Sequence, residues 1–394
     1  ILRGWLTRNS EALGAVGAIA TAIAAVTAVI VIPYQVAQAD RIQRDQTARE
    51  IYREFLNLTV QKPELANADY CTLKDETHRT AYSAYVEYLL YTAEQMIDTS
   101  DEWIVTRTGI KERRVAAEDE YTSDLAFKAV EDLLRRHPGA LEGVDAVIVA
   151  TNTPDALFPD TAALVQARFG LKAFAYDLLA GCPGWIYALA QAHALVEAGL
   201  AQKVLAVGAE ALSKIIDWND RATAVLFGDG GGAAVVGKVR EGYGFRSFVL
   251  GADGTGAKEL YHACVAPRLP DGTSMKNRLY MNGREVFKFA VRVMNTATLE
   301  AIEKAGLTPE DIRLFVPHQA NLRIIDAARE RLGLPWERVA VNVDRYGNTS
   351  TASIPLALKE AVDAGRIREG DHVLLVSFGA GLTWAAAVLT WGGA

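Results

Sequence analysis

Cysteine is scarce in this chain, with three among 394 residues, at positions 71, 182 and 264. That is no disulfide framework, and no two of them form the C-x-x-C pair of a zinc or thiol-exchange site. The six histidines are scattered without zinc-site spacing, so no metal is expected. Positive charge is also short: 41 Lys and Arg against 48 Asp and Glu leave a net charge of −7, which excludes a basic footprint for nucleic acid. The cluster Gly228-Asp229-Gly230-Gly231-Gly232 has the composition of a phosphate loop but precedes a strand-like run at 233–236 rather than a helix, so a tight turn is expected. A reducing compartment fits these absences. Half of the residues are hydrophobic, and the length allows two or three domains.

The most informative feature present is Gly181-Cys182-Pro183-Gly184-Trp185-Ile186-Tyr187-Ala188-Leu189. Residues 173–179 have the pattern of a buried strand, and an apolar helix-forming run lasts to about Gly199. Cys182 is therefore expected at a strand-to-helix turn, where the helix N-terminus favours an anion and lowers a thiol pKa. Two later motifs offer partners: Val316-Pro317-His318-Gln319-Ala320-Asn321 after a run at 313–316, and Tyr346-Gly347-Asn348-Thr349-Ser350 after a run at 339–343. His and Asn can each hydrogen-bond a thioester oxygen beside a cysteine nucleophile. Each also has a plain reading alone: a small buried cysteine, a histidine at a strand end, an asparagine before a helix.

Spacing argues for taking them together. Strand 146–150, Cys182 and strand 204–207 form one series; strand 313–316, Asn348 and strand 373–376 form another with similar intervals. The first ends in the turn Gly208-Ala209, the second in Gly379-Ala380-Gly381. One βαβαβ plan used twice would put Cys182 and Asn348 at equivalent helix N-termini around a pseudo-twofold axis. Reactive groups of parallel α/β sheets gather at the carboxyl ends of the strands, which would also bring in His318.

Several motifs resemble the β-ketoacyl-acyl-carrier-protein synthase III family, in family order. They are Asp98-Thr99-Ser100-Asp101-Glu102-Trp103-Ile104-Val105-Thr106-Arg107-Thr108-Gly109-Ile110, Phe227-Gly228-Asp229-Gly230, the His318 and Asn348 motifs, and Phe378-Gly379-Ala380-Gly381-Leu382-Thr383-Trp384. The resemblance runs from about residue 98 to the C-terminus. It implies the thiolase fold, a duplicated five-layered α/β/α/β/α arrangement, usually as a homodimer. It implies a reaction in which Cys182 takes the acyl group of an acyl-CoA, acetyl-CoA first of all. Malonyl-acyl-carrier-protein then condenses with it to give carbon dioxide and a 3-oxoacyl chain, and no cofactor beyond the thioesters is used. His318 and Asn348 would bond the enolate oxygen, and the backbone N–H groups of Cys182 and Ala380 would hold an oxyanion. Trp103 and Arg221 match residues that sandwich the adenine of coenzyme A, with Arg107 beside its path. Lys288 and Arg323 match positions facing the carrier protein. Phe158 matches the residue that closes the partner subunit's acyl pocket, and Trp185, beside the nucleophile, would shorten the acyl pocket and favour small primers. Asp177 and His193 are expected to be structural.

The front of the chain departs from the family, whose first strand is missing ahead of residue 98. Residues 12–32 carry no charge over 21 positions, enough to span a bilayer. Arg41, Arg44, Arg49 and Arg53 come after this run, against Arg3 and Arg8 before it, which puts the part beyond the run in the cytoplasm of a bacterium, held at the inner membrane. A cleaved signal peptide and a buried alanine-rich helix are the rivals. The expected divisions are 1–39, flank and span; 40–97, a helical segment; 98–238, the half with the nucleophile; and 239–394, a connection and the half with His318 and Asn348. Two other functions stay open: a related polyketide or secondary-metabolite condensing enzyme with another acyl donor, and a membrane-anchored interaction protein whose synthase part is truncated and inactive.

Overall fold

The computed structural model describes residues 100–392, so the expected span at 12–32 and the helical segment at 40–97 lie outside the described residues. The chain divides into two compact units, Ile1–Asp98 and Thr99–Ala394, and the described residues all belong to the second. Among the described residues no helix is long and apolar enough to cross a membrane.

Helix α1 (Asp101–Thr108) starts at Ser100, whose hydroxyl accepts from the Trp103 N–H, and stops at Gly109, which takes the left-handed conformation at φ 79°. The first half then runs α2 (Thr122–Arg136), β1 (Ala146–Ala150), α3 (Thr161–Arg168), β2 (Phe174–Leu178), α4 (Gly184–Glu197), β3 (Lys203–Glu210), the short α5 (Arg221–Ala224) and β4 (Gly230–Gly237). The second half has β5 (Gly244–Ala252), a small hairpin of β6 (Leu260–Tyr261) and β7 (Tyr280–Met281), α6 (Gly283–Lys304), β8 (Ile312–Pro317), α7 (Leu322–Leu332), the short α8 (Val343–Tyr346), α9 (Ser353–Asp363), β9 (His372–Gly379) and β10 (Thr383–Thr390).

Two four-stranded sheets result, ordered β2-β1-β3-β4 and β5-β10-β9-β8. Strands β1 and β3 are apolar at nearly every position because both of their faces are covered. Alternate residues serve different layers. Val147, Val149, Leu205 and Val207 pack against Ala126 and Val130 of α2 and Ala162 and Val165 of α3. Ile148, Val204 and Ala206 turn the other way, into a core shared with α4, α9 and the strand residues Leu314, Val316, Val373 and Leu375. On the far side, Phe315, Leu374 and Val376 meet α6 and α7. The layers are therefore helices, sheet, helices, sheet, helices: the five-layered thiolase-like arrangement.

The pseudo-repeat is visible in the pairing. Strands β1, β3 and β4 correspond to β8, β9 and β10, and β2 corresponds to a single parallel bridge between Phe315 and Val339. One place is not matched. Strand β10 is flanked by β9 and β5, whereas β4 pairs with β3 and with no other strand among the described residues. The segment ahead of residue 100, where the first strand of the first sheet is expected to be missing, lies outside the described residues.

Four expectations need correction. Residues 339–343 do not form a strand: a turn at Trp336–Arg338 delivers Val339 to one bridge, and α8 begins at Val343. Gly208-Ala209 is not a turn but lies inside β3, where Gly208 is needed because an added Cβ would stand 2.6 Å from the Thr351 carbonyl oxygen. Strand β2 is a sheet edge rather than a buried strand, with Phe174 47% exposed and Leu178 alone buried. Asn348 does not begin a helix directly, since a 3₁₀ turn at Ser350–Ala352 intervenes before α9.

Because Ile148 is fully buried in the central layer, Ile148→Ala is expected to cost about 2–5 kcal/mol of stability. A denaturant midpoint unchanged from the parent chain would contradict the layer assignment.

Candidate active site

Cys182 follows Gly181, which has a φ of 66°, and Pro183 caps α4. The glycine is required by close approach as well as by conformation, since a Cβ there would lie 2.7 Å from the Ala380 carbonyl oxygen and 2.8 Å from its nitrogen. Gly379 presses still closer: a Cβ would fall 2.4 Å from the Cys182 nitrogen. The turn between β9 and β10 thus lies directly on the cysteine. Ser350 lies near enough to the Cys182 thiol to favour its ionised form. In turn, the Ser350 N–H donates to Asn348 Oδ1 at 2.9 Å, which leaves the Asn348 carboxamide nitrogen as its donor group. Asn348 is held through its backbone, donating to the Leu226 carbonyl and accepting from the Gly228 N–H, each at 2.9 Å.

His318 stands at the end of β8, its N–H donating to the Val376 carbonyl at 2.8 Å. Its ring lies 5.5 Å from that of Phe378, the neighbour of Gly379. Nδ1 is 2.6 Å from the Ser353 hydroxyl at the start of α9, and Nε2 is buried with no partner. The three residues picked from the sequence therefore join through short links: Cys182 to Asn348 through Ser350, and Cys182 to His318 through Gly379 and Phe378. Removal from water sets the imidazole pKa, pushed down to about 3, so the ring is neutral at neutral pH.

The same removal from water corrects one expectation. Burial pushes the Cys182 thiol up to about 12, with Ser350 opposing the rise and the nearby Glu210 charge adding to it. A helix start favours the thiolate, and desolvation works against it at this half-buried cysteine.

Other expected residues divide by place. The Arg221 guanidinium lies 5.3 Å from the Trp103 ring centroid and that of Arg107 5.9 Å. A cavity of about 240 Å³ adjoins them, lined by Ser100, Glu102, Trp103, Thr106 and Arg107. Two stacking layers need about 7 Å, so the Trp103–Arg221 pair must open before a flat ring can enter. Lys288, on α6, bonds the Glu285 carboxylate at 3.0 Å. Arg323, on α7, covers the ring of Phe287 at 5.5 Å. Phe158 is 83% exposed, not a core aromatic. Trp185 is buried, its indole N–H directed at the Ala206 carbonyl.

Asp177 holds the start of α3 by accepting from the Thr161 and Ala162 N–H groups, and His193 packs against Phe245 and Phe248. The glycine cluster is structural too: Asp229 accepts from the Ala116 and Ser213 N–H groups, and β4 comes next. Among the described residues no three potential ligands meet to hold a metal. Sequence reasoning missed Ser350, Ser353 and Glu210. Glu210 had a visible signal, an acidic residue ending the apolar run of β3; the two serines lay within and after the Asn348 motif but carried no distinguishing pattern.

If the thiol titrates near 12, alkylation of Cys182 by iodoacetamide should rise about tenfold per pH unit from pH 7 to beyond pH 10. Peptide mass measurement at Cys182 checks this, and a plateau below pH 9 would overturn the assigned thiol state.

The chain matches two family models, 3-oxoacyl-[acyl-carrier-protein] synthase III over residues 176–254 and the C-terminal model of the same enzyme over 302–391. It is 57% identical over 301 residues to a β-ketoacyl-[acyl-carrier-protein] synthase III of Deinococcus deserti, covering 76% of this chain and 86% of the relative. A synthase III of Caldanaerobacter subterraneus is 56% identical over 303 residues, covering 76% of this chain and 92% of the relative. The crystal structure of the Thermus thermophilus enzyme superimposes with a TM-score of 0.75 at 98% identity, covering 77% of this chain and 95% of that one. A cysteine under a glycine turn, a buried neutral histidine and an asparagine between two like halves are thus found in a chain that belongs to the β-ketoacyl-[acyl-carrier-protein] synthase III family.

Proposed function

We propose that Cys182, His318 and Asn348 carry the family's reaction, with Cys182 as nucleophile and the other two as donors to a thioester oxygen. The protein is an acyltransferase that condenses an acyl-CoA with malonyl-acyl-carrier-protein, giving 3-oxoacyl-acyl-carrier-protein and carbon dioxide at the start of fatty-acid synthesis. The thioesters are its substrates, and no separate cofactor takes part. Acetyl-CoA is the proposed acyl donor.

In the first half-reaction Cys182 Sγ attacks the acyl-CoA carbonyl, the carbon–sulfur bond to coenzyme A breaks, and the thiol proton leaves with coenzyme A. Backbone N–H groups of Cys182 and Ala380 are proposed to hold the oxyanion. In the second, malonyl-acyl-carrier-protein loses carbon dioxide, and the electron pair of the broken bond becomes an enolate. Its carbon attacks the acyl carbonyl on Cys182, and the released sulfur takes up a proton.

The observation that supports this reading best is the state of His318: neutral, with Nδ1 on Ser353 and Nε2 buried without a partner. If the Ser353 hydroxyl donates to Nδ1, the ring proton sits on Nε2 and can bond the enolate oxygen without protonating carbon. Asn348 supplies the second neutral donor.

Around this centre, Trp103, Arg107 and Arg221 are proposed to hold the adenine end of coenzyme A by stacking. Lys288 and Arg323 are proposed to meet the acidic carrier protein. The exposure of Phe158 supports a role at the acyl pocket of a second copy, in a homodimer, and Trp185 is proposed to limit pocket depth. His318→Ala and Asn348→Ala are each expected to slow malonyl decarboxylation by about a hundredfold or more while Cys182 acylation stays within severalfold. Single-turnover acylation by acetyl-CoA, read by intact mass, and carbon dioxide release separate the steps. Equal loss of both would sink the division of labour.

The 12–32 run supports a further proposal, that the chain is anchored at a bacterial inner membrane with the catalytic part in the cytoplasm. In cells the full chain should then stay with membranes through carbonate extraction, and detergent should release it. Release by carbonate alone would remove the anchor from the account.

A further inference from the structure

The His318 ring is held through one nitrogen, Nδ1, which lies 2.6 Å from the Ser353 hydroxyl; Nε2 is buried with no partner among the described residues. Both side chains are out of solvent, with His318 1% and Ser353 2% exposed. Which of the two donates decides what the ring can do, because a neutral imidazole carries a proton on one nitrogen and a lone pair on the other.

The hydroxyl points to the direction. A buried O–H needs an acceptor. In the same turn the Thr351 hydroxyl has one, the Ala150 carbonyl at 3.0 Å. Among the described residues the Ser353 hydroxyl bonds Nδ1 and nothing else. With the ring proton on Nδ1, the serine proton would be left buried and unbonded. With the serine as donor, its proton is satisfied by Nδ1, and the ring proton sits on Nε2. That N–H is then the buried donor left for a ligand oxygen.

The fold fixes both ends of the bond. Ser353 opens α9, an eleven-residue helix, and its N–H donates to the Ser350 carbonyl. The positive end of the helix makes the hydroxyl a better donor and disfavours a second proton on the ring. His318 follows β8, tied by its N–H to the Val376 carbonyl at 2.8 Å, and the Phe378 ring packs against it at 5.5 Å. A half turn of the imidazole would set a carbon against Ser353, so one hydrogen bond determines both orientation and tautomer.

We propose that Ser353 is a positioning residue of the condensation, its hydroxyl donating to His318 Nδ1 and holding the ring as the Nε2–H tautomer that donates to the enolate oxygen. This deepens the role given to His318 and rests on it. The effect falls on the second half-reaction, since acylation of Cys182 draws on backbone donors instead.

The test reads the ring directly. The full chain is labelled with nitrogen-15 in its six histidines, and ring correlations are recorded at pH 7; the signal absent from His318→Ala is the one followed. The expected ring has its proton on Nε2 and an unprotonated, hydrogen-bonded Nδ1, and a proton on Nδ1 would overturn the proposal. Ser353→Ala should move the Nδ1 resonance toward that of an unbonded nitrogen. It should also slow malonyl decarboxylation about tenfold, the effect of one lost hydrogen bond, while acylation by acetyl-CoA stays within about twofold. Ser353→Thr keeps the hydroxyl and should restore both the resonance and most of the rate. An unmoved Nδ1 resonance or a parental decarboxylation rate in Ser353→Ala would make the serine a purely structural group. The role of His318 fails separately: parental decarboxylation by His318→Ala would remove it whatever the tautomer. If Ser353→Ala does not fold, the parent chain decides, Nε2–H upholding the proposal and Nδ1–H overturning it.

Discussion

Exclusion of water from the seam between the two halves governs this site. The same desolvation moves two groups in opposite directions, the Cys182 thiol up to about 12 and the His318 imidazole down to about 3. Both end up neutral, as burial demands of any acid or base without a counter-charge. The chemistry proposed here suits that condition. A neutral imidazole can donate a hydrogen bond to a developing oxyanion, where an imidazolium would protonate the enolate carbon. In a dry site such a bond is also stronger than it would be in water.

Duplication builds that seam. Each half contributes a parallel core of strands and a helix to the central layer, and reactive groups come from corresponding places: Cys182 after β2, Asn348 after the segment that bridges at Val339. The two chain segments touch where side chains are smallest. Gly379 lies against Cys182, Gly208 against Thr351, and Gly181 against Ala380. Small residues at these crossings let backbone from one half reach the nucleophile of the other.

Much of this was legible in the sequence because the buried strands β1, β3, β8 and β9 are short continuous apolar runs, and because the chemistry-bearing residues come directly after such runs. The edge position of β2 was not legible, since Phe174 to Leu178 are apolar enough to look buried. The segment at 339–343 has the composition of a strand but is carried into α8 after one bridge, a tertiary outcome that local pattern does not report. The thiol state was misread for a similar reason. A helix start can be inferred from neighbours in sequence, but the backbone that packs onto the cysteine comes from Gly379, far along the chain. Glu210 escaped notice because a lone acid at a strand end gains meaning only when Asn152, Thr151, Thr153 and Thr351 are seen around it.

The side of β4 that no strand pairs among the described residues shows what covering a sheet margin is worth. Its eight residues, Gly230 to Gly237, carry no charge and no proline, and each is only partly covered. Natural sheets blunt their margins with lysine, proline or a bulge, because a row of unsatisfied amides and carbonyls is a template for another strand. Here none of these devices lies within the strand, and Lys238 comes just past its end. Left uncovered, a margin of this composition would be a template for another strand; in the second sheet the corresponding margin of β10 is paired with β5.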